Sequence, residues 1–136
     1  MRFALTTQAF CNQPLGPQLL RDVAAAGFEH IELFTARDHF DYEAPTGGAT
    51  LRRWLDDARL EVVSVHAPVA ERRQGIWTRL PSLAHSDPAK RMTALASIDR
   101  LVALRAEVGF DTLVVHVGVP ASDRDAMADN SKEAAR

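Results

Sequence analysis

The chain has 136 residues, of which 46% are hydrophobic and 25% charged, the balance of an ordinary globular protein with enough length for one domain and a real core. Sixteen Lys and Arg against 18 Asp and Glu give a net charge of −2, which offers no electrostatic basis for strong, non-specific nucleic-acid binding. A single cysteine, Cys11, permits no internal disulfide, and no apolar run approaches the ~20 residues of a membrane helix or forms a signal-peptide core. A cytoplasmic protein is the expectation.

Phe3-Ala4-Leu5 reads as a short first strand. Pro17 to Ala26 reads as a helix, opened by proline and closed by Gly27, with Leu19, Leu20, Val23 and Ala26 on one face. Phe28 to Phe34 follows as a second strand. After a polar loop with Gly47-Gly48, Thr50 is placed to cap a second helix whose buried stripe is Leu51, Trp54, Leu55 and Ala58. Glu61 to Ala67 is a third strand. An irregular stretch from about Pro68 to Ser86 is longer than the usual connection in such folds, and loops of that length often act as lids. Asp87-Pro88 opens a third helix that runs to Gly109, with Leu95, Ile98, Leu101, Val102, Arg105 and Val108 at three- and four-residue steps. Asp111 to Val117 makes a fourth strand, and Ser131 begins a fourth helix.

Strands alternating with helices imply right-handed crossovers and a parallel sheet. The helix-to-strand junction recurs, as Ala26-Gly27-Phe28-Glu29 and Val108-Gly109-Phe110-Asp111. The expected fold is therefore an α/β parallel half-barrel of about four βα units.

Two strands end in histidine: Val62-Val63-Ser64-Val65-His66 and Leu113-Val114-Val115-His116. The second strand carries Glu32 in the run His30-Ile31-Glu32-Leu33. In parallel α/β folds the carboxyl ends of strands open onto the ligand-binding face. Side chains alternate along a strand, so Ile31, Leu33, Val63, Val65, Leu113 and Val115 form apolar faces for the helices to cover. Glu32, His66 and His116 then share the opposite, mixed face and converge on one cavity, with Glu32 a step deeper.

Imidazoles plus a carboxylate suit a divalent metal (Zn, Mn or Fe) or an acid–base pair. The plain alternative for either histidine is a core residue bonded to backbone, and for Glu32 a buried carboxylate paired with arginine. His30 is read as making a structural hydrogen bond. His39, beside Asp38 and Asp41, is read either as a solvated loop residue or as a substrate contact. Trp77, flanked by Arg72, Arg73 and Arg79, is read as a lid over a sugar, a phosphate clamp or a loop anchor. Cys11 has no neighbouring cation in sequence to activate it, and no phosphate loop or nucleophile elbow is present.

Leu15 to Leu33, ending Gly27-Phe28-Glu29-His30-Ile31-Glu32-Leu33, resembles the opening of the xylose-isomerase-like TIM barrels. That superfamily includes sugar-phosphate isomerases and epimerases and the apurinic endonucleases of the endonuclease IV type. Ser64-Val65-His66-Ala67-Pro68 resembles the end of its third strand and Val114-Val115-His116-Val117-Gly118 the end of its fourth, where proline often replaces Val117.

The resemblance implies a single domain over residues 1–136, forming the N-terminal half of a (β/α)8 barrel. It implies catalytic roles for Glu32, His66 and His116, with His66 and His116 as metal ligands in the endonuclease branch and as substrate contacts or neighbours of the metal in the isomerase and epimerase branch, and a divalent cofactor (Mn, Mg or Zn). The chemistry implied is proton transfer beside a carbonyl of a sugar or sugar phosphate. His39, Arg72 and Trp77 are the candidate substrate contacts. A complete barrel typically takes ~250 residues, so a second half or a second copy in a homodimer is expected to complete the site. The alternatives are a zinc-dependent phosphodiesterase of the apurinic endonuclease kind and a non-catalytic half-barrel used for binding or assembly.

Overall fold

In the computed structural model, which describes residues 3–73 and 76–117, four parallel strands form one sheet, each paired with the next of the four in chain order. The strands are β1 (Ala4–Thr6), β2 (His30–Phe34), β3 (Glu61–His66) and β6 (Thr112–Val114). Three helices, α1 (Pro17–Ala25), α2 (Gly47–Ala58) and α3 (Pro88–Val108), make the crossovers. An antiparallel hairpin, β4 (Ala70–Arg73) with β5 (Ile76–Arg79), rises between β3 and α3. The stretch expected to be irregular thus contains a paired element. The helix expected at Ser131 lies outside the described residues.

Each helix-to-strand junction turns through the left-handed region. Gly27 has φ 91° and Gly109 φ 78°, conformations that cost glycine little. Arg59 makes the same turn after α2 with φ 57°, and is the junction at which sequence gives no glycine.

Helix α2 starts three residues before Thr50. Turns from Asp41 to Ala44 and from Ala44 to Gly47 already wind the chain, and Thr50 N–H donates to the Thr46 carbonyl inside the helix. Small residues permit this. A Cβ on Gly47 would lie 2.7 Å from the Asp41 carbonyl oxygen, and one on Gly48 2.7 Å from the Glu107 carboxylate.

Strand β3 departs from simple alternation. Ile31 pairs with Val62 but Glu32 pairs with Ser64, so Val63 is an extra residue in a bulge. The phase of β3 changes there, and Val62 joins Val65 in the core instead of Val63. Beyond the bulge the expected alternation holds, with His66 opposite Phe34.

Helix α3 is capped as its sequence implies, Asp87 accepting from Ala89 N–H at 2.9 Å. Its buried residues, Leu101, Leu104 and Val108, all fall in its C-terminal half. Leu95 and Val102, expected in the stripe, are 43% and 54% exposed, and Arg105 is exposed as well. Strand β6 stops at Val114 because its neighbour β3 ends at the partner position, His66. His116 therefore stands just past the strand. The core lies between sheet and helices and is built from Leu20, Ile31, Leu33, Leu51, Leu55, Leu60, Val65 and Leu101, none more than 1% exposed.

Candidate active site

The carboxyl ends of the strands are stitched by side-chain hydroxyls. Thr7, buried just after β1, accepts from Phe34 N–H at 2.9 Å. Thr35, fully buried after β2, donates its hydroxyl to the His66 carbonyl at 2.7 Å. These two threonines fix the rim on which the candidate residues sit. Sequence reasoning missed them, because nothing separates a rim threonine from a loop threonine before the strands are paired.

His66 is 8% exposed, and its Nδ1 lies 2.9 Å from the Ala67 carbonyl oxygen. A carbonyl only accepts, so Nδ1 carries the proton and the neutral ring presents a bare Nε2. That Nε2 lies 3.0 Å from Nε2 of His116, whose ring is exposed, with ring centroids 4.8 Å apart. The strand-end placement read from sequence brings these two together. His66 also satisfies the plainer reading of a histidine bonded to backbone.

Glu32 is half-buried and accepts from the Ser64 hydroxyl at 2.9 Å. Its pairing with Ser64, two residues before His66, sets it one step down the sheet. Its partner is thus a hydroxyl. Among the described residues no group of three His, Cys, Asp or Glu side chains is close enough to hold a metal. The two histidines meet; the glutamate lies below them.

Phe34, 2% exposed, backs His66 with ring centroids 5.6 Å apart. The His39 ring also lies near Phe34, with centroids 6.4 Å apart. Far from being solvated, His39 is 2% exposed and donates Nδ1–H to the Gln13 carbonyl at 2.7 Å. Burial lowers its pKa below the ordinary 6.5, against the opposing pull of the Gln13 bond. Its Nε2 is buried with no hydrogen-bond partner among the described residues. It ties the loop after β2 to the loop after β1, reinforced by Leu15 N–H donating to the His39 carbonyl at 2.6 Å.

The hairpin is held by charge. Glu71, 4% exposed, pairs with Arg37 at 2.8 Å, and Arg37 also pairs with Glu43, which reaches Arg100 on α3. Trp77 lies opposite Arg72 in the hairpin register and is 42% exposed. The Arg72 side chain, like those of Arg73 and Arg79, lies outside the described residues. His30 faces Glu61 at 3.6 Å at the opposite end of the sheet, remote from the histidine pair.

With His66 Nε2 bare, His116 donates Nε2–H to it, so a metal would take the place of that proton as His116 shifts to its Nδ1–H tautomer. Bonds of about 2.1 Å from one ion to two ligands at right angles place those ligands about 3.0 Å apart, and a tetrahedral angle about 3.4 Å. The observed 3.0 Å matches the first and needs a small opening for the second. The Ala67 carbonyl supplies the outer hydrogen bond that fixes a ligating imidazole. The pair fits a divalent ion as two of its ligands.

A parallel βα unit with ionisable groups at its strand ends defines the class: part of a TIM-type barrel, with its candidate site at the carboxyl face. The family model for the xylose isomerase-like TIM barrel matches residues 20–136, and the chain belongs to that family. Solved structures agree in fold. An AP endonuclease, family 2, from Brucella melitensis is 18% identical with a TM-score of 0.60, over 97% of this chain and 47% of that one. The 3-keto-D-glucoside 4-epimerase from E. coli is 16% identical with a TM-score of 0.62, over 100% and 49%. A xylose isomerase-like TIM barrel protein from Mycobacterium smegmatis in complex with magnesium is 18% identical with a TM-score of 0.56, over 97% and 49%. The chain thus spans about half the length of these structures. No curated protein sequence matches it. No helix among the described residues is long and apolar enough to cross a membrane.

Proposed function

We propose that this chain contributes the N-terminal half of a sugar isomerase or epimerase site, in which a proton is moved beside a carbonyl. The observation that carries the reading is the 3.0 Å approach of the His66 and His116 Nε2 atoms at the mouth of the sheet. The two imidazoles are the ligands the chain offers a divalent ion, Mn, Mg or Zn. Such an ion supplies Lewis-acid polarisation of a substrate carbonyl and stabilises the charge that develops on its oxygen.

The chain's own residues bind and orient. Ala67 fixes the His66 tautomer, Phe34 and Thr35 hold its ring and backbone, and Glu32, oriented by Ser64, accepts a hydrogen bond from a substrate hydroxyl. His39 supports Phe34, and Trp77 on the hairpin covers the bound sugar. A second half, or a second copy in a homodimer, supplies the remaining wall, because among the described residues β1 and β6 each leave one edge unpaired in the sheet.

Titrating the full chain with manganese, magnesium and zinc, followed by deuterium exchange into D-fructose at the carbon next to its carbonyl, tests the reading. Binding abolished by His66→Gln and by His116→Gln, with exchange by the assembled protein, is the expected result. Unaltered metal affinity in both variants overturns it. A second reading is favoured by the all-nitrogen donor pair, which suits zinc: a phosphodiesterase of the apurinic endonuclease kind. Zinc-dependent cleavage of abasic DNA would decide for it.

A further inference from the structure

The bare Nε2 of His66 depends on its Nδ1–H staying on the Ala67 carbonyl, 2.9 Å away. We infer that Thr35 is a positioning residue: its hydroxyl, acting through the His66–Ala67 peptide, holds that carbonyl in place and so sets the tautomer and direction of the His66 ring. The inference rests on the functional reading above in taking His66 as a metal ligand, and it adds the group that prepares that ligand.

The peptide between His66 and Ala67 is gripped at both of its polar atoms. Its carbonyl accepts twice from Thr35, at 2.7 Å from the hydroxyl and at 3.3 Å from the N–H. Its N–H donates to the Val114 carbonyl on β6 at 2.9 Å. Anchors on both sides of β3 therefore fix the plane of this peptide. The hydroxyl makes the shorter of the two Thr35 bonds, and the longer comes from backbone just past the end of β2. Thr35 is fully buried, so water does not compete with its hydroxyl for the carbonyl.

The next peptide is limited from its far side. Pro68 follows Ala67, and a residue before proline is kept out of the helical region and in extended conformations. With the preceding peptide fixed, the Ala67 carbonyl has little freedom to turn about its own Cα. It meets the His66 Nδ1–H from one direction.

The consequence lies at Nε2. A free imidazole favours the opposite tautomer, with its proton on Nε2. Once the Ala67 carbonyl drifts, His66 returns toward that form. A protonated Nε2 can neither accept from His116 at 3.0 Å nor coordinate an ion. Thr35 thus reaches the donor pair through the backbone of its buried member.

Long-range proton–nitrogen NMR on the metal-free full chain reads the His66 ring directly, and calorimetry reads zinc affinity. The wild-type chain is expected to show His66 protonated at Nδ1 and bare at Nε2. Thr35→Val fills the same space without the hydroxyl. It is expected to move the His66 nitrogen signals toward the Nε2–H form and to weaken zinc binding about tenfold. Thr35→Ser keeps a hydroxyl and is expected to recover both properties. Pro68→Ala, at a half-buried loop position, frees the Ala67 carbonyl and is expected to move the same signals in the same direction. It keeps the question open to measurement should Thr35→Val fail to fold.

His66 signals unchanged from wild type in Thr35→Val, or in Pro68→Ala where Thr35→Val does not fold, overturn the inference. So does a wild-type His66 protonated at Nε2. The functional reading fails separately, if His66→Gln leaves zinc affinity unaltered while the His66 tautomer of the metal-free chain still responds to Thr35.

Discussion

The most direct physical test of the site's framework is the pH dependence contributed by His39. Its Nδ1–H is committed to the Gln13 carbonyl at 2.7 Å, and its Nε2 is buried without a partner among the described residues. Protonation would place a positive charge at an atom with nothing to accept from it, which is why burial holds the pKa below 6.5. In the unfolded chain the ring titrates near its ordinary value. Well above that value both states are neutral and His39 adds no pH dependence. As the pH falls through about 6.5 the unfolded state takes up a proton that the folded state refuses, and stability drops. The slope is at most about 1.4 kcal/mol per pH unit for one proton, and it continues until the folded pKa is reached. His39→Asn keeps an N–H donor for Gln13 and does not titrate, while the other four histidines remain as a common background. Urea unfolding of both proteins from about pH 8 to about pH 5 should give a stability difference that is flat at the alkaline end and shrinks on acidification. The variant itself costs about 1–3 kcal/mol at neutral pH through lost packing against Phe34. Two curves that stay parallel across the whole range would refute the assignment of His39 as a buried neutral strut.

Other outcomes follow from single contacts. Gly109→Ala puts a Cβ on a φ of 78° and should cost about 1–2 kcal/mol, read from the urea midpoint. Glu71→Ala removes the buried partner of Arg37 and should destabilise by about 1–3 kcal/mol, with faster proteolysis of the hairpin than of the sheet. Ser64→Ala leaves Glu32 without its hydroxyl donor; deuterium exchange into D-fructose by the assembled protein should fall several-fold while the metal affinity stays unchanged.

The order of elements was legible because it rests on local signals: proline at the start of α1 and α3, glycine after them, and β-branched runs between. The meeting of His66 with His116 was legible for the same reason, since one ends β3 and the other closely follows β6, strands that the order makes neighbours. What escaped depends on pairing. Val63 looks like any other strand valine until its partner strand shows that Glu32 faces Ser64. Leu95 and Val102 fit a helical stripe, yet they point away from the one that packs, because two apolar rows on a long helix cannot be ranked by periodicity alone. His39 lies among acidic residues in sequence, and its hydrogen-bond partner, Gln13, stands 26 residues earlier. The ion pairs around Arg37 join three separate elements, and no spacing within any one of them announces the contact.

The misplaced stripe on α3 bears on how the half-barrel is completed. Arg100 reaches Glu43, just before α2, and Glu107 lies against Gly48 in the first turn of α2, so that flank of α3 faces α2. Leu95 stands five residues before Arg100, about 140° away round the helix, and Val102 lies on the same line one heptad later. Their flank therefore faces the side of β6, the strand whose outer edge is unpaired among the described residues. Among the described residues this leaves an open strand edge beside an uncovered apolar helix flank, which a following βα unit would cover, whether it comes from a second half or from another copy. If a second copy completes the barrel, sedimentation of the full chain should give a dimer at high concentration. Leu95→Lys with Val102→Lys should then convert it to monomer without loss of helix content, since both positions are exposed within the protomer. A wild-type chain that stays monomeric, with the double variant unchanged, would exclude the homodimer and leave a distinct second half as the source of the missing wall.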